Sequence, residues 1–532
     1  MNANFNNCSR LVKLMMRRER VISTLWVLCL LLFSIALAGA MGDMFDETAR
    51  QSLAETLQNP GMIALMGPVY GADNYTEGAM YSNTMALWVI LAVAAMNILL
   101  VVRHTRADEE KGRAEVVRSL PTGRLAIPGA ALLSALIVNI ILAVLTGLGI
   151  SMLGIGSMGF KGSMLYGVML GLSGMFFAAV AALFSELSVS SRGAAGYSFF
   201  ALGLLYVVRA AGDAGNELVS LISPLGLILR CRVFTEDHWW PVSILLLETA
   251  VLSVTALILR SARDIEQGYI AARPGRSEAP GSMLSPGGFA FRLLRNWMIA
   301  WLIIMFALSA SYGSILADIE TFVEDSEFYQ MVIGYNSSYS ITEMFTSTIN
   351  TIASLVCIIP LLTIVLRLRG EEKEGRAENV LARSVSRVKY MSGYVISAYV
   401  ISVLLQMATA LGLFAASSAV LEQPVALGYL IKANIVFLPA LWVMIGMAVA
   451  LIGILPKASN AIWAYFAFSF FTQFIGRMLD LPGWLPKLSP LGYTPQLPVD
   501  EINAMSLAVL AVIAAALTAA GFIAFRRRGT VY

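Results

Sequence analysis

Residues 109–115 of the chain read EEKGRAE and residues 372–378 read EKEGRAE, so one charged motif occurs twice. The two Gly-Arg-Ala-Glu cores are 263 residues apart, which is close to half of the 532-residue chain. Each copy follows a long apolar stretch, residues 80–102 or 343–366, and precedes another. A charged segment between apolar stretches of about 20 residues is typical of a loop between membrane-spanning helices. The motif therefore predicts two similar halves, each with the same charged loop.

The composition supports this interpretation, because 58% of the residues are hydrophobic and only 13% are charged. A helix of about 20 apolar residues crosses a hydrocarbon core roughly 30 Å thick. The sequence predicts an all-α integral membrane protein with twelve spans, arranged as two parallel repeats of six. The predicted spans are residues 21–41, 80–102, 125–150, 163–184, 193–210, 241–260, 297–316, 343–366, 391–415, 428–453, 461–478 and 504–525.

The chain is expected to divide at a linker rich in Pro and Gly. The first six-span half takes residues 1–262, the cytoplasmic linker residues 263–290, and the second half residues 291–532. The first apolar run is longer than the apolar core of a signal peptide. It also has a counterpart at residues 297–315, so we expect an uncleaved first span.

The distribution of positive charge predicts the orientation of the chain. On this topology, 29 of the 37 Lys and Arg residues lie on one side of the membrane. Positive residues are enriched on the cytoplasmic side. Both termini, the linker and both motif-bearing loops are therefore expected in the cytoplasm, in a multi-pass protein of the plasma membrane. We refer to residues 103–124 as the first charged loop and residues 367–389 as the second charged loop.

Each charged loop is predicted to contain a short helix. Glu109 and Arg113 are four residues apart, as are Glu372 and Arg376, a spacing at which opposite charges pair on a helix. Apolar residues between 116 and 120 would form the second face of the first helix. Simple anchoring of a solvated loop would need only positive charge. Repetition of the same acidic residues and glycine instead indicates a specific partner.

This motif, followed by Pro-Thr-Gly-Arg at residues 121–124, resembles the cytoplasmic loop between spans two and three of type-2 ABC exporter permeases. The double-length arrangement resembles the permeases of polyketide-antibiotic exporters of the tetronasin type. The resemblance implies that each loop is a coupling helix docked on a separate ABC ATPase subunit, with one copy for each half. The second loop has SVSR at residues 384–387, so the two docking sites need not be equivalent. The residues implicated in ATPase coupling are Glu109, Glu110, Gly112, Arg113 and Glu115 in the first loop and Glu372, Gly375, Arg376 and Glu378 in the second.

The chain itself is not expected to be an enzyme. It lacks the Gly-x-x-x-x-Gly-Lys-Ser/Thr sequence that binds nucleotide phosphates, so ATP and Mg would be held by the partner ATPase. No spacing of Cys or His indicates a metal site, and no cluster indicates catalysis. The expected activity is export of amphipathic small molecules such as antibiotics. The expected partners are the ATPase, membrane lipid and the transported molecule, and no nucleic acid.

Charges within the spans suggest alternatives. Glu248 falls within the sixth predicted span, where a carboxylate could contact a cationic substrate or carry a proton. Arg209 is expected to reach the outer interface. A proton-coupled secondary drug transporter is the main alternative function, and an ABC-type complex for lipid or peptide handling or for sensing is another. A membrane-embedded enzyme is disfavoured by the lack of a catalytic cluster.

Overall fold

The computed structural model describes residues 3–264, 267–270, 278–316, 339–383, 385–421, 424–475 and 482–528. The chain forms two compact units, Met1–Pro274 and Gly275–Tyr532, each of which is described by itself. The predicted domain boundaries, with a linker at residues 263–290, stay a prediction.

The first unit contains twelve α-helices among its described residues. Six of them, α1, α4, α7, α8, α9 and α12 as bounded below, are long and apolar enough to span a membrane. The first of these has 37 residues and is therefore roughly 55 Å long, so it extends well beyond a 30 Å hydrocarbon core. The helices are α1 Cys8–Met44, α2 Glu47–Leu57, α3 Pro60–Met66, α4 Glu77–His104, α5 Arg106–Glu110, α6 Arg113–Arg118, α7 Ala126–Ser151, α8 Phe160–Leu187, α9 Ser191–Ala214, α10 Glu217–Ile222, α11 Pro224–Leu229 and α12 Trp240–Ala262.

Helix α8 is the centre of the first unit, since it packs extensively against α4, α7 and α12. Glycines allow the backbones of α7 and α8 to approach closely, as small residues do at helix interfaces in membranes. A Cβ atom added to Gly167 would lie 2.1 Å from the carbonyl oxygen of Ala143. Any larger residue at this position would therefore separate the two helices.

Arg209 has a structural role that the sequence did not indicate. Its side chain is fully buried by the protein, and its predicted position at the outer interface stays a prediction. It donates hydrogen bonds to the carbonyl oxygens of Ala64 at 2.9 Å and Leu65 at 3.2 Å, and it pairs with Asp213 at 3.3 Å. The last carbonyls of a helix have no partner within that helix. Arg209 satisfies two of them and so holds the short helix α3 against α9.

The second unit contains eight α-helices among its described residues. Five candidate spans occur here, with α17 and α18 together forming one of them. The predicted span at residues 461–478 is described only as α19 and a π-helical turn at Phe471–Ile475; residues 476–481 lie outside the described part. The helices are α13 Pro286–Gly313, α14 Ile341–Lys373, α15 Arg376–Leu381, α16 Arg387–Val420, α17 Leu427–Ile435, α18 Leu438–Ile454, α19 Ala461–Phe470 and α20 Ala504–Arg527.

Two close helix pairs organise the second unit, α13 with α16 and α18 with α20. Each pair again meets at glycine. A Cβ atom on Gly412 would lie 2.3 Å from the carbonyl oxygen of Phe306, and one on Gly453 would lie 2.3 Å from that of Gly521. With eleven candidate spans among the described residues, the predicted fold class, an all-α integral membrane protein, is confirmed.

The close approach at Gly167 can be tested by adding one methyl group. Gly167→Ala is expected to destabilise the first unit by about 1–3 kcal/mol, the usual cost of overpacking. Gly196→Ala on α9 is the matched control, because a Cβ there would meet no atom within 4 Å. The measurement is the midpoint of thermal unfolding of the detergent-purified chain, followed by tryptophan fluorescence. Equal midpoints for the two variants would contradict the packing described.

Candidate functional site: the two charged loops

Both charged loops have the same backbone design. In the first, α5 ends at Glu110 and α6 begins at Arg113, with Gly112 between them in the left-handed conformation at φ 69°. In the second, α14 ends at Lys373 and Gly375 has a φ of 70°. Only glycine adopts this conformation without steric cost. The repeated glycine therefore has a structural reason: it turns the chain sharply from one helix into the next.

This turn changes the ion pairs that the sequence predicted. Glu109 and Arg113 do not lie one turn apart on a single helix, because the helix is interrupted at Gly112. The predicted helical pair is therefore wrong. Arg113 instead reaches back across the glycine and pairs with Asp108 at 3.2 Å, and Asp108 also binds Arg18 of α1 at 2.6 Å.

In the second loop, too, the ion pairs differ from the predicted helical pair. Glu372 and Arg376 lie on different helices, and Arg376 pairs with Glu371 at 2.5 Å and also with Glu374. The hydrogen bond to Glu371 raises the pKa of Arg376 above its ordinary value. In both loops, an arginine that follows the glycine is thus bound to an acidic residue that precedes it.

Glu109 is the centre of a buried ion cluster in the first unit. Its carboxylate pairs with Arg106 at 2.7 Å, Arg260 at 3.0 Å and Arg263 at 2.8 Å. Arg263 also binds Glu186 of α8 at 2.9 Å. These five side chains are each at most 5% exposed. Removing one partner from such a cluster leaves an uncompensated buried charge, which costs about 3–5 kcal/mol.

The ion cluster ties three separate elements together: the first charged loop, the end of α8 and the end of α12. It holds three guanidinium groups against two carboxylates, so it carries excess positive charge. Arg118, on α6, responds to this field: burial lowers its pKa, and the nearby charge of Arg260 lowers it further. Arg106 also donates to the carbonyl oxygen of Val189 at 2.9 Å, which fixes the loop to the α8–α9 connection.

Glu372 makes the corresponding contacts in the second unit. It pairs with Arg369 at 3.5 Å and with Arg528, just beyond α20, at 2.5 Å. Arg528 also donates to the carbonyl oxygen of Ile452 at 2.5 Å. The side chains of Glu372 and Arg528 are 17% and 11% exposed, so this pair is less buried than its counterpart. In both units the repeated acidic residue joins the charged loop to the end of the last span.

Glu110 has a contact that its counterpart does not share. Its carboxylate accepts hydrogen bonds from the backbone N–H of Ser191, at 3.0 Å, and from the Ser191 hydroxyl. Ser191 begins α9, and a negative charge is favourable at a helix N-terminus. At the position of Glu110 the second loop has Lys373, and the Lys373 side chain is exposed. The two loops are therefore fixed to their units in different ways.

The exposed surface of each loop lies after the glycine. Glu115 and Glu378 are exposed, whereas Ala114 and Ala377 between glycine and glutamate are buried and pack the short helices onto their units. In the first loop, two apolar side chains are exposed as well: Val116 is 70% and Leu120 is 60% exposed. An exposed acidic and apolar surface can contact another protein, whereas the carboxylate of Glu109 is buried and that of Glu372 is mostly covered.

Glu248 is separate from both loops. It lies on α12, it is half-buried, and its Oε2 atom has no hydrogen-bond partner among the described residues. Leu247 and Val251 beside it are exposed, whereas Leu245 and Thr249 are buried, so Glu248 lies at the edge of the face that packs on the unit. A role of Glu248 in the substrate pathway stays a prediction.

The sequence did not reveal Arg260, Arg263 or Arg528 as parts of these sites. Their positions at the ends of spans were attributed to orientation alone, since positive residues flank spans generally. The feature of the sequence that could have indicated this role is an arginine just after the last span of each half, Arg263 in the first and Arg528 in the second. Each binds the repeated glutamate of its own unit.

The fold is that of an α-helical integral membrane protein with a repeated charged loop. Comparison with known proteins shows that the protein is a permease. The family described as "Multidrug efflux system permease Rv1217c, C-terminal domain" matches residues 9–259 and 283–526. The chain is 32% identical over 534 residues to the multidrug efflux system permease protein Rv1217c of Mycobacterium tuberculosis (strain ATCC 25618 / H37Rv). That similarity covers 98% of this chain and 95% of the relative. The chain therefore belongs to the Rv1217c family of multidrug efflux permeases.

The buried ion cluster predicts that two glutamates of the first charged loop, Glu109 and Glu115, differ strongly in how their substitution affects tryptic cleavage of the loop. Glu109→Gln is expected to release the first charged loop, because it leaves three arginines with one carboxylate. The free energy needed to detach the first charged loop from its unit should fall by about 3–5 kcal/mol. Tryptic cleavage at Lys111 and Arg113 should therefore accelerate at least tenfold. Glu115→Gln, which changes an exposed residue, should leave the rate unchanged. Similar cleavage rates for both variants would contradict the assigned role of Glu109.

Proposed function

We propose that this chain is the permease subunit of an ATP-driven ABC exporter of the type-2 class, which moves amphipathic, drug-like molecules out of the cell. Two observations support the proposal. The relative is named a multidrug efflux permease, and both halves of this chain have the same charged loop with an exposed surface beyond the glycine. ATP hydrolysis belongs to a separate subunit, because the sequence has no phosphate-binding loop.

The proposed orientation places both charged loops and both termini in the cytoplasm of a cell whose plasma membrane the chain spans. Its basis is the concentration of Lys and Arg on one side, 29 of 37 on the predicted topology. On this orientation, the exposed surfaces of the loops face the compartment that contains ATP. One ATPase would dock on each half, and the two contacts would differ.

We divide the proposed coupling residues into two groups. Glu115 and Glu378, with Val116 and Leu120, would contact the ATPase, because they are exposed. The second group, Glu109 and Glu372 with the arginines that bind them, are positioning residues. Gly112 and Gly375 form the turn between the two groups.

The ion pairs provide a route for motion. A displaced charged loop must carry with it the end of α12 or α20, because separating a buried ion pair is costly. Only 17% of the apolar window of either helix is buried inside the structure. Both helices are therefore less enclosed than central ones such as α8, although α20 is closely paired with α18 and would move together with it. ATP-driven movement of the loops would thereby reach the last span of each half.

A proton-coupled secondary transporter is the second candidate, and Glu248 is the observation that favours it. A half-buried carboxylate within a span, with one oxygen that has no hydrogen-bond partner in the described part of the chain, can exchange a proton. On that mechanism, transport would follow the proton gradient, and neutralising Glu248 would abolish it. The charged loops would then have no role in energy supply.

The docking surface can be tested by placing a charge on it. Leu120→Asp is expected to weaken binding of the ATPase at least tenfold, since it inserts a charge into an apolar contact. Leu218→Asp is the matched control, because Leu218 is 71% exposed on the side predicted to be extracellular. The measurements are co-purification of the candidate ATPase and ATP hydrolysis by the complex. Equal binding by both variants, or transport that follows a proton gradient without any ATPase, would contradict the proposal.

A further inference from the structure

A group of buried polar side chains lies in the N-terminal half of α14 in the second unit. Thr346, Ser347, Asn350 and Ser354 recur at spacings of three and four residues, so they lie on one face of the helix. All four are at most 4% exposed. Asn350 lies nine residues after the start of α14, about 14 Å along its axis. Asn350 is therefore well inside this candidate span rather than at its end.

Two neighbouring helices present amides to this face. Asn434 of α17 donates hydrogen bonds to Oδ1 of Asn350 at 3.1 Å and to the carbonyl oxygen of Leu430 at 2.9 Å. Gln406 of α16 donates to Oγ of Ser354 at 2.9 Å. We call Asn350, Gln406 and Asn434 the amide cluster. It joins three helices of the second unit.

The amide cluster has more hydrogen-bonding groups than it satisfies. Among the described residues, no partner exists for Nδ2 of Asn350, Oε1 of Gln406 or Oδ1 of Asn434. The hydroxyls of Thr346 and Ser347, one turn away, also lack a partner there. Each such buried group costs about 1–3 kcal/mol, and roughly 90% of buried polar groups in proteins are satisfied. One unpaired N–H₂ group and two unpaired carbonyls in one place require an explanation.

The first unit shows that amides in a span can satisfy each other. Asn97 and Asn139 exchange hydrogen bonds at 3.0 and 2.7 Å. Their remaining N–H groups bind the carbonyl oxygens of Val93 and Ala135, both at 2.9 Å. This pair is closed and joins α4 to α7. A purely structural role is therefore compatible with complete pairing, which the amide cluster does not have.

Two members of the amide cluster, Asn350 and Gln406, correspond to alanines of the first half. Helices α4 and α14 align on Met-x-x-x-Thr at residues 80–84 and 344–348, where each threonine donates to the methionine carbonyl. In this alignment Ala86 corresponds to Asn350. Gln406 likewise corresponds to an alanine at the 263-residue spacing of the charged loops. The polar side chains thus distinguish the second half from the first.

We propose that the amide cluster binds an uncharged hydrogen-bonding group, an amide or a hydroxyl, of the transported molecule. This inference rests on the proposed export function. Its unpaired groups, one donor and two acceptors, are of the kinds that an amide or a hydroxyl can pair with. A site built from buried hydrogen-bonding groups discriminates strongly against molecules that lack the matching group. The second unit would therefore select substrates by their neutral polar groups.

Two probes of different chemistry test this selectivity. Chloramphenicol is neutral and carries an amide and two hydroxyls, whereas tetraphenylphosphonium is an amphipathic cation without hydrogen-bonding groups. ATP-dependent uptake of each labelled probe is measured in inverted vesicles that contain the full chain and its ATPase. Asn350→Leu, Gln406→Leu and Asn434→Leu are each expected to lower chloramphenicol uptake at least tenfold. Uptake of tetraphenylphosphonium should stay within twofold of the wild-type rate.

The matched control is the double variant Asn97→Leu with Asn139→Leu, which removes the closed amide pair of the first unit. It should transport both probes in the wild-type ratio. Thermal unfolding should show that the amide-cluster variants remain folded, since each removes one unsatisfied group while breaking the hydrogen bond to Asn350 or the one to Ser354. Unchanged chloramphenicol uptake in those variants, or the same selective loss in the control, would overturn the inference. If the wild-type protein takes up tetraphenylphosphonium but not chloramphenicol, the inferred role of the amide cluster is overturned and the export function stands. If the wild-type protein takes up neither probe, both proposals are overturned.

Discussion

The burial of ionised groups beside each charged loop is the constraint on which the proposed mechanism depends. Glu109 is inaccessible to solvent and to any partner, so its charge must be balanced by groups of the chain itself. The balancing arginines come from the loop and from the end of α12, which fixes these two elements to one another. Glu372 imposes the same constraint on the second charged loop and the end of α20. A loop held in this way moves together with a transmembrane helix or stays in place.

The sequence predicted the elements better than it predicted the contacts between them. Apolar runs identified the spans because a helix in lipid needs about 20 apolar residues, whatever its neighbours are. The charged loops were identified as functional candidates by repetition. Their ion pairs were predicted wrongly, because a spacing of four residues implies a pair only within a continuous helix. Gly112 and Gly375 interrupt that helix, and the alternative partner of Glu109 on α12 is 151 residues away in sequence.

The two halves have diverged around a shared design. The turn at glycine, the arginine that reaches back across it and the acidic residue bound to the last span occur in both. The first unit adds Glu186 of α8 to its ion cluster and Glu110 to the start of α9, so its loop is held more firmly. The second unit has a more exposed ion pair and, within its spans, the incompletely paired amide cluster. These differences are compatible with unequal contributions of the halves to energy coupling and to substrate selection.

On the proposed mechanism, Glu372 and Arg528 transmit movement rather than bind the ATPase, and a double-mutant cycle on export distinguishes these two roles. Glu372→Gln, Arg528→Gln and the double variant are assembled with the ATPase, and export per ATP hydrolysed is measured, with the exposed neighbour Lys373→Gln as control. Each single variant is expected to bind the ATPase normally but to export less per ATP hydrolysed. The double variant should be no worse than either single one, because both remove the same interaction. Wild-type export per ATP in the single variants, or losses that simply add in the double variant, would contradict the proposed mechanism.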